Sequence, residues 1–108
     1  MNKAEYGEFQ KSVEDIFTSL YMVDAGSLTP EQRKTHQEAL GAAYLAVIRL
    51  ENARFADITD QAKKTLDTLA TRSRQLQEQL AGLKKAKEVL NIVSGALDVL
   101  TAIAKLLK

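Results

Sequence analysis

The chain is expected to fold as an all-α protein, an antiparallel bundle of about four helices in one domain covering residues 1–108. Three observations lead there. Apolar residues make up 45% of the chain and charged residues 27%, a globular balance in which Ala, Leu, Lys, Glu and Gln, all strong helix formers, predominate. Breakers are scarce, with five glycines scattered singly and one proline, too few for a turn-rich β architecture. Apolar residues also recur at steps of three and four over long stretches, the period of a helix with one buried face. The spacing places the helices at about 3–23, 30–56, 58–81 and 84–107, with the last two joined end to end as the alternative.

The first helix rests on Tyr6, Phe9, Val13, Ile16, Phe17 and Leu20, a single stripe from which Glu8, Lys11, Glu14 and Asp15 lie mostly apart. It should stop near Val23, because Asp24, Ala25, Gly26 and Ser27 are loop residues and Gly26 is free to take a positive φ. Thr29, Pro30, Glu31 and Gln32 then mark the clearest helix start. Threonine can cap, proline suits the first helical position, and glutamine stands where the reciprocal partner of a capping box belongs. The second helix carries no charge over residues 39–48. Ten residues are too short for a bilayer span, which needs about 20, so this stretch is expected to be buried on most sides. Gly41, Ala42, Ala43 and Ala46 would admit a close neighbour.

A kink or short turn is expected around residues 55–60, with Asp57 or Thr59 as the next cap. Ala62, Leu66, Leu69, Ser73, Leu76, Leu80 and Leu83 follow at alternating steps of four and three, a coiled-coil-like seam of about three heptads. Continued by heptads, that seam would bring Lys87, Ser94 and Thr101 inward, so a break near Gly82 is implied, with Gly82 and Leu83 resembling a helix C-cap.

In the last helix Lys87, Asn91, Ser94, Asp98, Thr101, Lys105 and Lys108 alternate at steps of four and three. They fill a wedge of roughly 100° and leave roughly 260° apolar. That is more than a chain of this size is expected to hide. The surface is therefore read as a self-association or partner interface built from Leu90, Val93, Leu97, Leu100, Ile103 and Leu107, joined by Tyr44 and Ile48 from the second helix. A fully monomeric core helix is the plainer reading of the same pattern. A membrane-surface helix is the sharper one, although Asp98 and the unbroken polar stripe argue against a lone span.

The remaining chemistry is thin. With no cysteine, thiolate catalysis, disulfides and cysteine-held metal are excluded. His36 is the sole histidine, too few for the common multi-histidine metal sites, and it is expected to be a solvated surface residue. Glu51, Asp57 and Asp60 lack EF-hand spacing, so capping and solvation outweigh cation binding. There is no glycine-rich phosphate loop, and the basic cluster of Arg72, Arg74, Lys84, Lys85 and Lys87 has no interleaved aromatics, so nucleic acid is disfavoured as a partner. Lysine and arginine number 15 against 14 acidic residues, but residues 1–28 sum to −3 and residues 82–108 to +3, an asymmetry that could draw the two ends together within or between copies. No apolar leader is recognisable, which makes the cytoplasm the default compartment. The functional expectation is a non-enzymatic, cofactor-free helical protein that self-associates and binds or occludes another protein. By size and class it is the kind of bundle used by bacterial or phage immunity proteins, chaperones and inhibitors, an analogy that carries no family.

Overall fold

The computed structural model describes residues 1–81 and 85–107, the side chains of residues 86, 87, 93 and 94 excepted. It contains four α-helices: α1 (Lys3–Tyr21), α2 (Pro30–Asn52), α3 (Asp60–Ala81) and α4 (Ala86–Leu106). Two single 3₁₀ turns, at Ala25–Ser27 and Phe55–Asp57, join α1 to α2 and α2 to α3. No strand occurs among the described residues. The α3–α4 connection, with the expected cap at Gly82, lies outside them.

The starts of α1, α2 and α3 are each closed by local side chains, whereas Lys85 before α4 makes no side-chain cap. Asn2 and Glu5 form a reciprocal capping box at α1, with Glu5 N–H donating to Asn2 Oδ1 at 2.8 Å and Asn2 N–H to Glu5 Oε1 at 3.0 Å. Thr29 and Gln32 do the same at α2, behind Pro30. Thr59 caps α3 by accepting Ala62 N–H at 3.1 Å. The Ala25–Ser27 turn is closed by Asp24, whose carboxylate accepts Gly26 N–H at 3.0 Å. Gly26 does not use a positive φ, contrary to the expectation for this loop, because the 3₁₀ turn is right-handed.

The helix ends are handled differently. No described residue has a positive φ, so the left-handed glycine C-cap is not used among them. Side chains from neighbouring helices satisfy the terminal carbonyls instead. Tyr6 Oη and Gln10 Nε2 on α1 both donate to Leu50 O near the end of α2, at 2.6 and 2.8 Å. His36 Nε2 on α2 lies 2.6 Å from Leu20 O near the end of α1, and since a carbonyl can only accept, Nε2 carries the proton. Arg49 Nη1 on α2 donates to Ala104 O near the end of α4 at 2.7 Å, which also sets a cation at the negative end of that helix. His36 is therefore buried and structural rather than solvated. Its helix start is polar, but its ring turns inward to the end of α1.

These contacts fix the topology. The chain alternates direction from helix to helix, and α2 has α1 and α4 as its principal neighbours, as does α3. The turn at Phe55–Asp57 thus carries the chain diagonally across the bundle. The pairs α1·α3 and α2·α4 run parallel. Asp15 meets Gln77 and the Met1 ammonium meets Asp67, while the ends of α2 and α4 meet at Arg49 and Ala104. Within Ala86–Leu106 the charges of α4 cancel, Lys87 and Lys105 against Glu88 and Asp98, so the basic excess of residues 82–108 rests on Lys84, Lys85 and Lys108, of which only Lys85 is among the described residues.

The core is filled as the periodicities require. Tyr6, Phe9, Val13, Ile16 and Leu20 of α1, and Leu66, Leu69, Ser73 and Leu80 of α3, are buried along single lines. In α2 the buried line is His36, Ala39, Ala43, Ala46 and Leu50, whose alanines let α1 and α4 approach closely. The expectation that α2 is buried on most sides is corrected here. It stands at a corner with two principal neighbours, and Gly41, Tyr44 and Leu45 face solvent. The expectation that α4 exceeds what the chain can hide is corrected as well. Val89, Leu90, Ala96, Val99, Leu100, Ile103, Ala104 and Leu107 are buried. Its exposed described positions are Glu88, Asn91, Gly95, Asp98 and Lys105, largely the predicted polar strip. Flanked by α2 and α3 together, the helix has most of its described apolar residues covered by the chain's own fold, with Ile92, Leu97, Ala102 and Leu106 half-buried.

Candidate interaction surface

Among the described residues, the large apolar side chains left outside lie on α2 and at the end of α1. Tyr21 is 67% exposed, Met22 75%, Tyr44 56% and Leu45 41%. They arise from a second line of residues on each helix, displaced from the buried one. On α1, Phe17 and Tyr21 lie one position past the core residues Ile16 and Leu20, which turns them about 100° toward the outer α1–α2 edge. On α2, Gly41, Tyr44 and Ile48 stand in the same relation to the buried Ala43 and the half-buried Leu40 and Val47.

The two lines meet. Phe17 stacks against Tyr21 with ring centroids 6.1 Å apart and tilts against Tyr44 at 5.8 Å. Such aromatic pairs hold their rings in preferred offset or edge geometries rather than leaving them free. Beside them a hollow of about 350 Å³ is lined by Phe17, Tyr21, Gln37, Leu40, Gly41 and Tyr44. Gly41 contributes by absence, since a Cβ built there would meet nothing within 4 Å. The result is an apolar groove walled by the rings of Phe17, Tyr21 and Tyr44. Tyrosine suits such a place because it offers a broad apolar face and a polar tip at low entropic cost.

The residues expected at an interface from sequence divide into three groups. Leu90, Leu100, Ile103 and Leu107 are buried within the chain, and Leu97 is half-buried. Tyr44 is exposed and Ile48 half-buried on the outer side of α2. The side chain of Val93 is outside the described set. Phe17, Tyr21, Met22 and Gln37 were not anticipated. The legible signal was the pair of aromatics at 17 and 21, one step beyond the buried 6–9–13–16–20 line.

A second cleft, of about 600 Å³, opens where the ends of α2 and α4 face the start of α3, lined by Ile48, Arg49, Asp57, Ile58, Ala62 and Leu106 among others. Its polar lining is Arg49, Asn52, Arg54, Asp57 and Thr59. Among the described residues no group of three or more His, Asp or Glu is placed to hold a metal ion. Glu51, Asp57 and Asp60 therefore do not assemble a cation site. No helix among the described residues is long and apolar enough to cross a membrane. No protein-family model, curated protein or solved structure matches the chain.

Proposed function

We propose that this protein is a non-enzymatic helical interaction module that self-associates and binds or occludes another protein chain, and that its contact surface is the outer face of α1 and α2. The supporting observation is the aromatic groove itself: Phe17, Tyr21 and Tyr44 packed together on the outside, with Met22 and Leu45 exposed beside them. The same fold buries Val89, Leu90, Ala96, Val99, Leu100, Ile103 and Ala104 of α4, yet it leaves these side chains wet. Burial of one such aromatic in a partner contributes roughly 2 kcal/mol, so a handful of them anchors a specific interface.

Site-specific photo-crosslinking tests the reading. A photoreactive phenylalanine at position 44 or 21 should give covalent adducts with another polypeptide chain, a second copy included. The same group at Thr68, on the exposed side of α3, should give none. Equal yields at positions 44 and 68, or none at either, would overturn the assignment of this face.

A further inference from the structure

Resting on that reading, we infer that the occupant of the groove is a second copy of this chain, with α2 packing antiparallel against the partner's α2 in one register. The outer line of α2 is Lys34, Gln37, Gly41, Tyr44, Ile48 and Glu51, spaced 3, 4, 3, 4, 3. That is a heptad seam, the pattern by which two helices pack side by side, and it runs beside the inner seam already occupied by the core. Five of its six positions are exposed and Ile48 is half-exposed.

The seam is complementary to itself when reversed. A twofold axis through the midpoint between residues 42 and 43 sets Tyr44 against the partner's Gly41, and Gly41 against the partner's Tyr44. The bulkiest side chain of the seam thereby enters the hollow left by the smallest. The same axis brings Gln37 opposite the partner's Ile48 and Lys34 opposite the partner's Glu51. Each of these contacts occurs twice, as an isologous interface requires. The ends match in charge: the seam begins on a cation and finishes on an anion, so antiparallel pairing sets opposite charges together at both ends, whereas parallel pairing sets like on like. Among the described residues neither Lys34 nor Glu51 forms an ion pair within its own chain. Tyr21, beside Gln37 in the same hollow, extends the apolar contact at each end.

Sedimentation equilibrium of the full chain from about 1 to 300 μM tests the proposal. The wild type should move from monomer to dimer and no further. Lys34→Glu alone and Glu51→Lys alone should each weaken dimerisation about tenfold, since each turns two attractive surface pairs repulsive. The double variant should recover the wild-type value. Gly41→Gln should abolish the dimer by filling the hollow. A side chain at position 41 has open space around it in the single chain, so the variant stays folded, which circular dichroism checks. A wild type that remains monomeric throughout would overturn the self-pairing, and so would a dimer indifferent to Lys34→Glu and Gly41→Gln. If a monomeric chain still gives adducts with a different polypeptide from position 44, only the choice of occupant has failed. Absence of adducts as well would remove the interaction surface itself.

Discussion

Ser73→Ala should stabilise this protein, against the usual direction of core substitutions. Ser73 is fully buried in the α3 seam, and among the described residues its Oγ has no hydrogen-bond partner. Thr65 and Thr71 on the same helix return their hydroxyls to the carbonyl four residues earlier, at 3.4 and 3.1 Å, but Ser73 does not. A buried hydroxyl left unpaired costs about 1–3 kcal/mol. Alanine in a helix interior also gains roughly 0.5 kcal/mol over serine. Against these stands the lost dispersion of one oxygen-sized gap, a few tenths of a kcal/mol at about 0.1–0.2 per atom contact. The net is about 1.5 kcal/mol in favour of alanine. For 108 residues unfolding with an entropy of about 2.1 cal/mol/K per residue, this raises Tm by roughly 6 °C. Urea unfolding followed by far-ultraviolet circular dichroism should show a midpoint raised by roughly 1 M with an unchanged slope. A variant less stable than wild type would refute the reasoning, because it would mean that the hydroxyl is satisfied in the folded protein.

Other outcomes follow from the same contacts. His36→Ala should lose about 2 kcal/mol, since it opens a hole and removes the donor that serves Leu20 O, and thermal unfolding measures it. Arg49→Ala should cost about 1–2 kcal/mol by uncovering Ala104 O, and amide exchange should speed up selectively in the last turn of α4. Burial holds the Tyr6 phenol above its ordinary pKa of 10.0, so its contribution is intact below about pH 10 and is lost as pH rises through the raised folded-state value. Tyr6→Phe should therefore be about 1 kcal/mol less stable at neutral pH yet show a shallower alkaline decline in urea titrations. Leu100→Asp should prevent folding by burying an unpaired carboxylate where Lys85→Ala, at an exposed position, leaves the melting curve almost unmoved.

The starts of α2 and α3 were legible because caps are local chemistry. Thr29, Pro30 and Gln32 announce α2 from four adjacent positions, and Thr59 was one of two residues expected to open α3. The helix ends were placed less well: α2 stops at Asn52 rather than near residue 56, and α1 at Tyr21 rather than Val23. No glycine marks these ends, and carbonyls there are met from elsewhere in the bundle, Leu50 O by Tyr6 and Gln10 and Leu20 O by His36. For the same reason His36 was misread as solvated. Its sequence neighbours are polar, and its partner is a carbonyl 16 residues earlier in the chain.

From the order of residues alone came the helical class, the four segments, the inward lines of α1 and α3, and the narrow polar strip of α4, because periodicity and capping act within a few residues along the chain. Neighbourhood was another matter. The diagonal crossing after α2 gives α4 two principal flanking helices at once, which covers side chains that composition suggested would need an outside partner, and it leaves α2 at a corner with Gly41 and Tyr44 facing water. Which apolar surface stays open depends on how helices distant in sequence pack around a shared core, and that is settled only when the whole chain comes together.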